Sequence, residues 1–350
     1  MGKIKTMLNT KKTLLAVSLL ALTASAHAGY TIKLTDNDAI TFGGYLKADF
    51  RYVDGNTNSI TNDYWVGLGN EGDISRTKFS VNETRFTTKY VHGDVTGYIG
   101  MDFYGGGGNE IVSNSSHPRI RQAFVKYKGI LVGQAWSTFV DTSALAEGVD
   151  FGGPLTASAF IRQGQIRYTN GGLQLSLENP ESDKGDASQD SIPDVVAKYT
   201  FKGDWGNVSI AGLARQLNTL GGNSESAFGY GITGRIKTTG KDDLRFQYHG
   251  GETGRYVGVV AARDLVGEKV EKTTSVLVAY RHFWTKDLRS NVFYGNTTTD
   301  VADADRIHWG VNIFKSVTPQ LSFGFEIGNF DMADKDADSN YAQVSAKFAL

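Results

Sequence analysis

From Ala39 to Leu350 the chain repeats one pattern about sixteen times: some ten residues alternating apolar and polar, a short polar turn, then a longer polar loop. Successive residues of a strand point to opposite faces, so each segment reads as a strand with one apolar and one polar side. The pattern predicts strands at 39–53, 76–91, 94–104, 119–127, 130–136, 160–169, 173–178, 194–202, 207–216, 227–238, 242–250, 272–283, 288–297, 305–315, 320–330 and 340–350. Connections such as His92-Gly93, Lys128-Gly129, Asn170-Gly171-Gly172 and Thr239-Gly240-Lys241 carry hairpin-turn residues. Seven such turns alternating with eight longer loops give sixteen antiparallel strands with both termini on one side.

Parity assigns the faces. In 320–330, Leu321, Phe323, Phe325 and Ile327 alternate with Ser322, Gly324, Glu326 and Gly328. In the last segment Ala342, Val344, Ala346, Phe348 and Leu350 oppose Tyr341, Gln343, Ser345 and Lys347. A soluble sandwich would turn the apolar set inward. A membrane barrel turns it to lipid, keeps the polar set for a watery interior, and closes on itself so that no backbone group is left unpaired. Sixteen similar segments without a domain linker, each long enough to cross at a tilt of about 45°, favour the barrel. Tyr90, Tyr127, Tyr168, Tyr199, Trp205 and Trp284, near strand ends, would form its aromatic girdles. The expected fold class is therefore all-β: a 16-stranded antiparallel transmembrane β-barrel with a constriction loop folded inward.

The front end agrees. Lys3, Lys5, Lys11 and Lys12 precede a short apolar stretch, Leu14 to Leu22, and Ala26-His27-Ala28 supplies small residues for cleavage before Gly29. Residues 1–28 are thus expected to be a signal peptide and 29–350 a single barrel domain in a bacterial outer membrane. Four of the 36 basic residues fall in this leader, leaving 32 against 37 acidic ones, a net charge of −5. That balance, with no basic arm, argues against a nucleic-acid partner. Cysteine is absent, and all five prolines fall in predicted loops or turns.

Candidate chemistry lies on the inward face. The first strand points Tyr45, Lys47, Asp49 and Arg51 to one side, and the second places Glu83, Arg85, Thr87 and Lys89 together. Arg119 and Arg121 share a face, as do Gln163, Gln165 and Arg167; Arg235, Lys237 and Arg245 come later. Rings of one sign in a narrow pore select ions of the other. Lys47, Arg51, Arg85, Lys89, Arg119, Arg121, Arg167, Arg235 and Arg245 are the expected basic lining, drawing in small anions. Asp49, Glu83, Asp102, Glu178 and Glu326 share the inward parity, so a mixed lumen of structural ion pairs also fits.

The loop from Ser137 to Ala159 is long and not purely polar: Phe139, Val140, Leu145, Val149 and Phe151 suit a segment packed inside the barrel. Its charges are Asp141, Glu147 and Asp150. The expectation is that it narrows the pore, its acids facing Arg51, Arg85, Arg119 and Arg121 across a transverse field.

Other classes carry less. The histidines after the leader (His92, His117, His249, His282, His308) show no nucleophile-elbow or metal-ligand spacing, so neither catalysis nor a metal or other cofactor is expected. The Gly105–Gly108 run lacks the Lys-Ser/Thr and helix of a phosphate loop and reads as a flexible external loop. Asp334, Asp336 and Asp338 lack the rest of a calcium loop, and with the neighbouring acids they solvate the outer rim. Long loops at 54–75 and 251–270 would serve an adhesin or surface receptor without transport, a reading liposome swelling would separate from a pore.

Tyr30–Gly55 and Asn82–Pro154 also carry a resemblance, strongest in ETRFTTKYVHGDVTGYIGMDFYGGGGNEIVSNSSHPRIRQAFVKYK and LVGQAWSTFVDTSALAEGVDFGGP. The chain resembles the DcaP-like outer-membrane porins over about residues 30–170, and in architecture beyond. The resemblance implies a homotrimeric, sixteen-stranded porin favouring small anionic solutes such as dicarboxylates. It sets Arg85, Arg119 and Arg121 as wall residues opposite an acidic third loop. The smooth apolar faces of the early strands are in keeping with a trimer, and membrane lipid and lipopolysaccharide would surround it. A non-specific or cation-preferring porin is the alternative.

Overall fold

In the computed structural model, residues 29–57, 65, 72–183, 189–219, 221–258 and 263–350 are described; the expected signal peptide lies outside them. Sixteen strands form one closed antiparallel barrel. They are β1 (Asp38–Gly55), β2 in two pieces (Ile74–Ser80 and Arg85–His92), β3 (Val95–Asp102), β4 (Arg119–Tyr127), β5 (Ile130–Trp136), β6 (Arg162–Asn170), β7 (Leu173–Glu178) and β8 (Asp194–Gly203). Then come β9 (Gly206–Asn218), β10 (Ser224–Lys237), β11 (Asp243–Gly251), β12 (Thr273–Phe283), β13 (Leu288–Thr299), β14 (Asp305–Ser316), β15 (Leu321–Met332) and β16 (Ala337–Ala349). Each pairs with its neighbour in sequence, and β16 closes the ring on β1 from Tyr45↔Ala349 to Gly55↔Ser339. Where β16 stops, a short segment Tyr30–Lys33 pairs with Ala39–Phe42 and covers the rest of that edge.

The alternation sorts as expected for a barrel in lipid. Leu46, Phe50, Phe228, Tyr230, Phe323, Phe325, Ile327, Val344 and Phe348 face outward and are exposed. Tyr45, Lys47, Asp49, Arg51, Glu326, Gln343 and Ser345 face inward and are buried. An apolar belt outside and a polar interior is the inverse of a soluble sandwich, and only a hydrocarbon surrounding makes it favourable. No helix among the described residues is long and apolar enough to cross a membrane.

The second strand is not continuous, contrary to the single segment expected at 76–91. Asp49 pairs with Ser80 and Tyr45 with Arg85, so Val81–Thr84 stand opposite only Leu46–Ala48. The extra residue is a bulge. Its ladder bonds are replaced by side chain and neighbouring backbone: the Lys47 amide donates to Thr84 Oγ1 at 3.1 Å, and Phe103 N to the Asn82 carbonyl at 3.0 Å. The bulge reverses parity. Before it Lys78 pairs with Arg51 and so points inward; after it Arg85, Thr87 and Lys89 do. A second irregularity between Gly100 and Met101 lets Arg119 and Arg121 both point inward.

Two loops fill part of the lumen. Residues 137–161 run across it, and described parts of the loop expected outside at 251–270 also fold in: Tyr256 and Val257 are fully buried. They meet edge to edge, with Phe160 N donating to the Tyr256 carbonyl and Gly258 N to the Ser158 carbonyl. Phe139, Val140 and Ala159 of one and Tyr256 and Val257 of the other pack with Val196, Ala211 and Leu213 on β8 and β9.

Candidate pore and constriction loop

The 137–161 loop is held by side chains from nearly every part of the wall. At its root Thr138 N donates to Glu178, and Phe139 is wedged against His249 and Tyr256. Lys198 donates to the Val140 carbonyl at 2.7 Å, Arg245 to that of Leu145, and Gln247 to that of Ala144. At the far end Glu326, fully buried, accepts from Val149 N at 2.7 Å and Asp150 N at 3.4 Å, while Lys47 and Gln343 donate to the Val149 carbonyl at 2.8 and 3.0 Å. The inward carboxylates that parity identified include this anchor.

Two of the three loop acids have partners other than those expected. Asp150 does pair with Arg51, at 2.8 Å. Glu147 turns the other way, to Arg289 at 2.6 Å and Arg281 at 3.3 Å on β13 and β12. Asp141 accepts from Ser143, Ser209 and Thr233. Arg119 and Arg121 bond Asp102 on the adjacent strand, at 2.9 and 2.5 Å, because that carboxylate is nearer than any on the loop. Arg235 and Arg245 share Asp243 with Arg281. Arg85 stacks over Tyr45, Arg167 donates to the Trp136 carbonyl, and Lys89 lies exposed near the turn end of β2. Arg281 and Arg289 were not among the expected lining; for Arg281 the parity signal was present, since it follows buried Ser275, Leu277 and Ala279 at alternate positions. Burial alone would push the Glu147 carboxyl up, but hydrogen bonds and charge from Arg289, with Arg281 and Arg245 behind it, leave it below the usual carboxylate range.

Between this loop and the turn end of the barrel lies a cavity of about 490 Å³. Its charged lining is Lys47, Arg85, Arg281, Arg289 and Lys347 against Glu83, Glu147 and Asp150. Glu83 pairs with Lys47, Glu147 with the two arginines, and Asp150 with Arg51. Among the described residues Arg85 and Lys347 make no ion pair; both sit over the ring of Tyr45, at 5.1 and 4.0 Å from its centroid.

A barrel with a polar lumen narrowed by an inserted loop is porin architecture, and the family described as DcaP outer membrane protein matches residues 8–304. The chain belongs to that family. The match runs past the 30–170 stretch that carried the resemblance, to the start of β14. The fold is similar to that of the outer membrane channel DcaP of Acinetobacter baumannii, with a TM-score of 0.77 and 21% identity over 91% of this chain and 99% of that one. It is also similar to Salmonella typhi OmpF in complex with daunomycin (TM-score 0.61, 14% identity, 91% and 100% covered). An anion-selective porin from Comamonas acidovorans gives 0.59, with 13% identity over 89% and 100%. No curated protein matches. This DcaP-family chain is an outer-membrane channel, and its family and structural neighbours are channels and porins.

Proposed function

We propose that the channel passes small hydrophilic solutes by passive diffusion with a preference for anions, dicarboxylates among them. The observation that carries this is the inner cavity, where five cations face three carboxylates and each carboxylate already has a cationic partner. Among the described residues Arg85 and Lys347 hold no ion pair of their own, and both lie within 5.1 Å of one tyrosine ring centroid. In a narrow, partly desolvated passage such charge attracts anions far more strongly than the net charge of −5 left after the expected leader repels them. Two neighbouring cations also match a solute with two carboxylates. The likeness in fold to the anion-selective porin from Comamonas acidovorans is in keeping with this. The channel works as a homotrimer among membrane lipid and lipopolysaccharide, its neighbours seated on outward apolar positions such as Leu46, Phe50 and Phe79.

The test is flux into proteoliposomes of a dicarboxylate, an uncharged polyol of similar size and a diamine. Faster dicarboxylate entry supports the proposal. Equal rates leave a non-specific porin, faster diamine entry a cation-preferring one, and no entry of any solute an adhesin or receptor barrel.

A further inference from the structure

The tip of the constriction loop meets the early-strand side of the wall through an aromatic contact. The rings of Phe151 and Tyr104 lie 4.4 Å apart between centroids, tilted by 39°. Phe151 is the loop's contribution; Tyr104 stands just beyond β3, at the base of the 103–118 loop. Each ring carries a guanidinium, Arg121 5.8 Å from the Phe151 centroid and Arg119 5.6 Å from that of Tyr104. Phe151 borders two spaces at once. Below it is the 490 Å³ inner cavity; above it a crevice of only about 10 Å³, lined by Asp49, Arg51, Lys78, Tyr104 and Gln343. Phe151 therefore separates them, with Tyr104 packed against it from the crevice side.

The backbone around the pair differs sharply on its two sides. Val149 and Asp150 are pinned by Glu326, Lys47, Gln343 and Arg51. Phe151 is followed by Gly152 and Gly153, the latter at φ +50° with open space where a Cβ would be. Tyr104 is followed by Gly105 to Gly108, three of them at positive φ. Phe151 thus hangs between a fixed point and a glycine pair, the arrangement that lets a side chain swing without dragging the loop, whereas the glycine run after Tyr104 is tied back, Gly105 N donating to the His117 carbonyl at 3.0 Å.

We propose that Phe151 and Tyr104 form an aromatic gate that sets the size limit of the channel: a solute passes from the outer crevice to the inner cavity only when the two rings part. This rests on the porin reading. Phe151 is then the moving leaf and Tyr104 the seat it closes on, and Arg119 and Arg121, each over a ring and tied to Asp102, hold the closed position.

Single-channel conductance in planar bilayers tests this on the full chain, for the native protein, Phe151→Ala, Tyr104→Ala and the double variant. Conductance scales with the narrowest cross-section, so each single variant should conduct about twofold more than the native channel. The double variant should conduct no more than the singles, and the reversal potential should not change, since no charge is removed. Because the chain has no native cysteine, Phe151→Cys offers a second arm: a benzyl methanethiosulfonate adduct should bring its raised conductance back down. A native channel that conducts, with Phe151→Ala no different or the adduct without effect, would overturn the gate. A silent native channel beside a conducting Phe151→Ala would support it. Silence of both would overturn the porin reading and the gate with it.

Discussion

Glu326 gives the sharpest test of how the constriction is held. Its carboxylate is fully buried and accepts four hydrogen bonds: Val149 N at 2.7 Å and Asn312 Nδ2 at 2.8 Å on one oxygen, Tyr341 OH at 2.9 Å and Asp150 N at 3.4 Å on the other. Glu326→Gln keeps the shape but turns one oxygen into a donor that faces two donors. At least one well-aligned bond to a charged acceptor is lost and another is weakened, about 3 kcal/mol in total at 1.5–3 kcal/mol each. With about 1.4 kcal/mol per factor of ten, the ratio of docked to released loop tip falls roughly a hundredfold. Lys47, Gln343 and Arg51 still hold Val149 and Asp150, so the tip stays docked most of the time but leaves far more often. Single-channel recording should then show frequent brief transitions between two conductance levels where the native trace is steady. A steady trace at native conductance, from a variant whose barrel is folded, would refute the anchoring role.

Other consequences follow from the same contacts. Glu147→Gln releases Arg281 and Arg289 from their shared carboxylate, so the reversal potential in a potassium chloride gradient should move further toward that of chloride. Acid should do the same to the native channel: Glu147 is held below its usual value of 4.5, so its ion pairs persist from neutral pH down to about 4.5 and are lost as pH falls further. Selectivity constant to that point and then increasingly anionic is expected; a change between pH 7 and 5 would argue against it. Lys78→Ala removes a cation from the outer crevice, so anion conductance should fall at low salt and recover at 1 M, where the screening length is about 3 Å. Equal loss at both salt concentrations would mean that Lys78 acts through packing instead.

Much of the fold was legible because a period of two is hard to mistake over sixteen segments. The strand count and the outward apolar set follow from it. The bulge at Val81–Thr84 was not legible: nothing in that stretch interrupts the alternation strongly, yet one extra residue reverses the face of everything before it and brings Lys78 into the lumen. The inward course of 137–161 was readable from Phe139, Val140 and Phe151. The same criterion, applied to Tyr256, Val257 and Leu265, would have placed those parts of the 251–270 loop inside as well. Side-chain pairing was the least legible level. Which of several inward carboxylates takes a given arginine depends on strand stagger and loop course, which is why Arg119 and Arg121 meet Asp102 and why Glu147 meets Arg281 and Arg289.

The central claim is that positive charge lining the inner cavity sets the sign of selectivity. The most direct measurement is the reversal potential in a planar bilayer under a potassium chloride gradient, for the native channel and for Arg85→Ala with Lys347→Ala. The account predicts a chloride-favouring potential that shrinks toward zero in the double variant. A potassium-favouring native channel, or a chloride preference untouched by removing both cations, would contradict it.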